Sequence, residues 1–266
     1  MKRSIILLSL LTSAFVQAQE LDSISNQSIQ LDGVNIIEKL PISVEKISKS
    51  KLNERNLGQD IPTLLGNATS VLHSSDTGSG IGYSTIRIRG LNESSVNVTL
   101  NGIQLNNSES QGVFWVNLPD LASSTNNIYI QRGVGTSTNG MAAFGASVNI
   151  ETQNPSVRSF AELATSFGSF NTQKYTLQAG TGKILNDKLS MDVRVSRLKS
   201  DGYIDRAWSD LWSYDVTALY EMSPNTKIRF QNLYGDEQTY QAWYGIDAET
   251  LANDRRHNPA GAIYNP

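Results

Sequence analysis

From Arg158 onward the sequence keeps a period of two. Leu189, Met191, Val193 and Val195 alternate with Ser190, Asp192, Arg194 and Ser196. Tyr214, Val216, Ala218, Tyr220 and Met222 alternate with Asp215, Thr217, Leu219 and Glu221. Ile228, Phe230 and Tyr234 share a face opposite Lys227, Arg229 and Gln231, and Phe160–Phe167 and Lys174–Ala179 are weaker instances. Successive side chains of a strand point to opposite faces, so each segment predicts a strand that is apolar on one side and polar on the other. Strands of about ten residues with that pattern suit an outer-membrane barrel with a lipid face and a wet lumen. A half-buried antiparallel sheet in a soluble sandwich produces the same alternation, and period alone does not separate the two. The connectors add a second rhythm. Leu185–Lys188 and Ser223–Asn225 are tight, whereas Asp201–Asp210 and Gly235–Pro266 are long. Short periplasmic turns and long outer loops are what barrels have; Phe167–Asn171 would then be a short first outer loop.

The N-terminus speaks to the compartment. Lys2 and Arg3 precede a short apolar run from Ile5 to Leu11, and Val16-Gln17-Ala18 closes it with small residues. This is the order of a secretory signal peptide, too short to span a membrane as a helix. No later stretch approaches the length of an apolar spanning helix, so an exported chain that enters a membrane must do so as strands. The signal peptide and the aromatic residues near strand ends favour the membrane reading of the alternation.

Composition removes several function classes. There is no cysteine, which excludes disulfides, thiolate metal sites and cysteine nucleophiles. The two histidines, His73 and His257, have no metal-binding spacing. A net charge of −3 argues against a nucleic-acid partner. No nucleophile–base–acid constellation is visible, so the expectation is a non-enzyme without cofactor or metal.

Ile128–Thr152 is a strand, a glycine-rich loop and a second strand ending in Val148-Asn149-Ile150. Gly135 and Gly140 have Walker A spacing, but Met141 stands where the phosphate-binding lysine belongs and no Ser/Thr follows. The GxGxG at Gly78–Gly82 lacks the third glycine of a dinucleotide fingerprint and is followed by β-prone residues. Neither reads as a nucleotide site. The segment instead resembles the last block of the plug domain of TonB-dependent outer-membrane receptors, which runs Arg-Gly, a variable stretch, Gly, Ala, Gly and a closing Val-x-Asn-Ile. Two further blocks stand in the family's order upstream, Ile86-Arg87-Ile88-Arg89-Gly90 and Val98-Thr99-Leu100-Asn101-Gly102-Ile103. Asn101 replaces the usual Asp, and Ala146 replaces a second glycine.

The resemblance implies an α+β plug domain followed by antiparallel transmembrane β-strands of an incomplete β-barrel. The boundaries would be a signal peptide at 1–18, a periplasmic leader at 19–40, the plug at 41–152 and about five barrel strands over 158–266. Such barrels close with about 22 strands, so the chain is expected to be a fragment. Within the plug, helices are expected at Ile47–Asn53 and Ile61–Leu65, a loop at His73–Tyr83, and strands at Thr85–Arg89, Ser95–Leu100 and Asn127–Gln131. Leu31 precedes the segment Asp32, Gly33, Val34, Asn35, Ile36, Ile37 and Glu38, which stands in the place of the TonB box. An extended stretch of that kind can add as a strand to a partner's sheet, and a first plug strand or a linker is the alternative.

The family's task is active uptake of scarce nutrients, with a TonB-type energy-transducing protein, an iron complex such as a ferric siderophore, and outer-membrane lipid as partners. Ligand is expected where plug apices meet outer loops, at Tyr83, Phe114, Trp115, Tyr240, Trp243 and Tyr244. Aromatic rings there offer rigid contact area; packing is the competing role of each. Arg89 and Arg132 would hold the plug by pairing with barrel glutamates, with a plug-internal hydrogen bond as the alternative. Competing functions are a glycan or cobalamin importer of the same fold, or a secreted β-sandwich protein acting on carbohydrate.

Overall fold

The computed structural model describes residues 44–133 and 144–261, all within a compact unit spanning Leu40–Pro266. The signal peptide, the segment Asp32–Glu38, and Gly135, Gly140 and Met141 of the glycine-rich loop lie outside the described residues.

The N-terminal domain is built on a mixed sheet. Its strands are β1 (Val44–Ser48), β4 (Val96–Leu100), β5 (Ile103–Gln104), β6 (Thr125–Arg132) and β7 (Ala146–Thr152), in the order β1-β6-β7-β4-β5. The β4–β7 pair is parallel and the other pairs are antiparallel. A separate hairpin joins β2 (Val71–Ser75) to β3 (Ser84–Ile88). Helix α1 (Lys49–Asn53) lies against β1 and β6 of the sheet, α2 (Ile61–Leu65) packs on the β2–β3 hairpin, and α3 (Leu121–Ser124) leads into β6. The core between them holds Leu52, Leu65, Ile86, Val98, Trp115, Ile128, Ile130, Val148 and Ile150. Asn101 and Gly102, with φ of 51° and 83°, turn β4 into β5. Two consecutive positive φ values define the hairpin turn for which Asn-Gly is the preferred pair.

Two expected elements shift. The Ile47–Asn53 helix begins only at Lys49, because Ile47 and Ser48 pair with Ile128 and Asn127 in β6. His73 to Ser75 belong to β2 rather than to a loop, since they pair with Ile86 to Ser84. In both places a partner strand overrides local preference.

The second half is a meander of β8 (Ser159–Gly168), β9 (Thr172–Thr181), β10 (Leu189–Ser200), β11 (Ser209–Ser223) and β12 (Thr226–Thr239), antiparallel throughout. The last connector is less open than expected: β12 runs on to Thr239, and α4 (Ala248–Asn253) lies inside the loop, its N-terminus capped by Asp247.

The direction of the two faces decides between barrel and sandwich. Arg194 and Ser196 are 4% and 3% exposed, whereas Val193 and Val195 are 40% and 45% exposed. Lys174, Thr176, Ser190, Ser213, Asp215 and Thr217 are likewise buried, while Leu163, Leu177, Ile228 and Phe230 are open. The polar face is packed on the first domain and the apolar face looks outward. A soluble sandwich buries the apolar face, so the sandwich reading is corrected. Val193→Arg is accordingly expected to destabilise the protein in lipid vesicles by about 2–4 kcal/mol, the penalty for a cation facing mid-bilayer lipid. Val193→Leu should leave it nearly unchanged, and denaturant titration in vesicles measures both.

Candidate functional site: the inner seam and the outer aromatic cluster

The seam between the domain and the wall centres on Asp120. Pro119 and α3 flank it, and its φ of 53° is left-handed, a region Asp tolerates better than most residues. Its side chain is fully enclosed. Lys174 Nζ lies 2.7 Å from Oδ1, and Arg194 Nη1 lies 3.5 Å from Oδ2. Thr176 and Ser196 hydroxyls donate to Oδ2 at 2.9 and 2.7 Å, and Ser123 donates to Oδ1 at 2.6 Å. One carboxylate from the domain thus takes bonds from four side chains on β9 and β10.

The surrounding groups are satisfied in turn. Lys174 also donates to Asn56 Oδ1 at 3.0 Å, and Arg194 Nε donates to Ser124 Oγ at 2.7 Å. Ser213 Oγ accepts from Arg194 at 3.0 Å and donates to the Pro119 carbonyl at 2.8 Å. Asp192 and Asp215 line a small polar cavity beside Arg194. Burial pushes the Asp120 carboxyl up, but the charges of Lys174 and Arg194 and the bonds from Lys174 and Ser123 outweigh it and hold the group at about 2.

Two further contacts extend the seam. Asn101 Nδ2 donates to Gln231 Oε1 at 2.9 Å, and Arg229 Nη2 donates to Thr152 Oγ1 at 2.6 Å and to the Gln153 carbonyl at 2.9 Å. Toward the long loops the seam turns apolar: Ile81 and Val116 meet Leu198 and Leu211, with Tyr83 packed against them. At this level the wall's inner face is apolar too.

Above that patch lies the aromatic cluster. Tyr83 meets Trp243 edge-on with ring centroids 5.2 Å apart, and Trp243 meets Tyr244 at 6.4 Å. The Tyr83 hydroxyl donates to Glu237 Oε1 at 3.5 Å. Burial, then the neighbouring Glu237 and Asp76 carboxylates, push the Tyr83 phenol up, so it stays a donor. The loop below is tied to the wall's loop, because the amides of Tyr203 and Ile204 both donate to the Thr77 carbonyl.

Three of the six candidate aromatics therefore converge. Tyr240 has no ring partner among the described residues and its amide donates to the Trp208 carbonyl of the neighbouring β10–β11 connector, and Phe114 is half exposed, likewise without a ring partner among the described residues. Trp115 is corrected to a core residue: it is 2% exposed, because the turn Trp115–Asn117 drives its ring inward. Arg132 pairs with Glu45 on the neighbouring strand, and its Nε donates to the Thr69 carbonyl at 2.7 Å. Arg89 is exposed at a φ of 54°, its guanidinium against Gly133. Among the described residues neither arginine bonds to the wall.

Residues 36–147 match the family model described as TonB-dependent receptor plug domain. This part of the chain is a plug domain. Three solved structures share its arrangement with the wall. The siderophore receptor PirA from Acinetobacter baumannii matches with a TM-score of 0.62 and 16% identity, over 77% of this chain and 33% of that one. FpvA of P. aeruginosa, solved bound to pyoverdines, matches at 0.63 with 15% identity, over 75% and 26%. The copper transporter OprC matches at 0.63 with 15% identity, over 75% and 32%. At such identities the likeness establishes the fold alone. The chain spans a third or less of the length of these proteins. No curated protein matches the sequence.

The seam residue that the sequence did not announce is Asp120. Arg194 and Ser196 fell on the polar face of the alternation, so two of its four wall partners were legible. The aspartate itself carried only a weak signal, an acidic residue between Pro119 and a short apolar stretch.

Proposed function

We propose that the chain forms the plug and first wall strands of a TonB-dependent outer-membrane receptor that imports an iron complex, a ferric siderophore in the first instance. The observation that carries this reading is the wall's inverted amphipathy, with polar residues turned onto the plug and apolar residues turned outward. A polar seam suits a plug that must be displaced, because hydrogen bonds and ion pairs exchange for water more readily than a fused apolar core does. Iron is favoured by the siderophore and pyoverdine receptors among the structural relatives. The copper transporter of equal similarity makes free metal the competing cargo.

In this reading ligand binds at Tyr83, Trp243 and Tyr244. It shifts the plug only by binding one plug state better than another. The Asp32–Glu38 segment then pairs with the edge of a TonB-type partner's sheet, and the pull opens the less stable part of the plug.

The test is uptake of radiolabelled ferric siderophores by iron-starved cells carrying the gene with or without Asp32–Glu38. Deletion is expected to abolish uptake while leaving surface binding of the complex intact. Equal uptake with and without the segment would overturn the mechanism. Labelled copper taken up in place of iron would overturn the cargo.

A further inference from the structure

Glu237 is the under-partnered group of the outer aromatic cluster. It pairs with Leu211 across β11 and β12, so it shares the inward face with a fully buried side chain. Two positions earlier, Gly235 lets the wall meet the plug: a Cβ there would stand 2.5 Å from the Asn117 carbonyl oxygen and 2.7 Å from Pro119. Glu237 lies just past this close approach, on the side of the long connector, against Tyr83. The Tyr83 hydroxyl reaches Oε1 only at 3.5 Å, beyond the usual O–H···O range. Oε2 is shielded from solvent and has no hydrogen-bond partner. No cation pairs with Glu237 among the described residues. The arginines of the neighbouring loop segments are engaged elsewhere: Arg256 pairs with Asp205 at 3.2 Å, and Arg206 donates to the Asn258 and Ala260 carbonyls. From the plug side the Asp76 carboxylate also acts on the Tyr83 phenol, and the Asp76 amide donates to the Tyr83 carbonyl at 3.0 Å. A shielded carboxylate oxygen without a partner costs free energy, which a ligand bringing a cationic donor would recover.

We infer that the iron complex received here carries an organic cation, an ammonium or a guanidinium, and that Glu237 is the residue that selects it. The cation meets Glu237 with the rings of Tyr83, Trp243 and Tyr244 around it. Aromatic faces attract such groups through their ring quadrupole, more strongly where water is excluded. Trp243 and Tyr244 are 46% and 53% exposed, which leaves ring surface open to a ligand. The same two carboxylates, Glu237 and Asp76, repel an anionic complex. Among ferric siderophores this favours a neutral iron centre with a charged amine on its backbone, and it disfavours the net-negative tris-catecholates. The inference rests on the uptake reading of the aromatic cluster.

Surface binding of radiolabelled ferric complexes to de-energised cells tests it, with cells lacking the gene as the baseline. Ferrioxamine B bears a free ammonium; its N-acetyl derivative keeps the same neutral iron centre without that charge; a tris-catecholate is the third probe. Ferrioxamine B is expected to bind roughly tenfold tighter than the N-acetyl form, as a shielded cation at aromatic rings should. Glu237→Gln keeps an acceptor for Tyr83 and removes the charge. It should bring ferrioxamine B down to the N-acetyl level and leave N-acetyl binding unchanged. Equal binding of the two ferrioxamines to the wild type would overturn the inference while leaving the uptake reading standing. A preference that survives Glu237→Gln, or tightest binding of the tris-catecholate, would do the same. Loss of N-acetyl binding in Glu237→Gln would make the residue structural and overturn its selecting role. Binding of none of the three complexes would overturn the uptake reading and this inference together.

Discussion

Asp120→Ala is expected to weaken the hold of the wall on the plug by about 3–5 kcal/mol, the usual loss when one partner of a buried ion pair is removed. The size follows from what remains. Lys174 and Arg194 are 6% and 5% exposed at their side chains, and removal of the carboxylate leaves both ammonium and guanidinium without their shared anion. Thr176 and Ser196 lose an acceptor at the same moment. Asp120→Asn separates charge from shape, because asparagine also tolerates the positive φ at this position. It keeps one acceptor oxygen and should fall between wild type and alanine. Thermal unfolding in detergent and the rate of protease cleavage within the plug measure both variants. The pH profile carries the same signature. The group sits at about 2 when folded against an ordinary 3.8, so it binds fewer protons in the folded state. Its contribution is complete above 3.8 and is lost as pH falls toward 2. In Asp120→Asn that acid-limb loss should disappear. An alanine variant as stable as wild type would show that the seam is held elsewhere.

The legible part of this protein was periodic, and the illegible part was convergent. Strand number and facing came from the alternation, because a period of two fixes every side chain once any one is placed. Leu198 and Leu211 sit on inward positions of that same period, yet nothing local says that Ile81 and Val116 will meet them there. Trp115 and Trp243 looked equivalent as aromatics in loops. One is drawn into the core and the other stands half exposed beside Tyr83. The difference lies in which turn each loop makes, and turn geometry depends on distant partners. Asp120 is the extreme case. Its meaning depends on Thr176 pairing with Ser196 across β9 and β10, which sets Lys174 and Arg194 on one patch. That register is a tertiary fact. The Arg-Gly blocks, by contrast, were recognisable as sequence, but their arginines serve neighbours inside the plug: Glu45, Thr69 and the turn at Gly133.

A second carboxylate in the plug is buried with the opposite consequence. Asp60 precedes α2 at 7% exposure and takes a hydrogen bond from Ser84 Oγ at 2.9 Å, while its amide donates to the Gly80 carbonyl. No cation pairs with it among the described residues. Burial therefore dominates and pushes the group up to about 8, the Ser84 bond offsetting only part. The folded state keeps its proton where the unfolded state has lost it. The Asp60 contribution to stability is thus most favourable below the ordinary 3.8, falls as pH rises, and levels off only above 8. By pH 7 the accumulated penalty is roughly 4 kcal/mol, from about three units at about 1.4 kcal/mol each. Asp60→Asn should remove it, raising the unfolding temperature at pH 7 and flattening the profile between pH 4 and 8. The two aspartates then make opposed predictions on the slope of one titration: Asp120→Asn lowers stability throughout but changes the pH-dependence only on the acid limb, and Asp60→Asn changes it only on the neutral one. The loop from Asp76 to Tyr83 should report the second most directly, since Gly80 and Ser84 tie it to Asp60. Amide exchange in that loop is expected to quicken from pH 6 to 8 in wild type beyond the intrinsic base-catalysed increase. In Asp60→Asn only the intrinsic increase should remain, and an identical excess in both proteins would assign the charge change to another group.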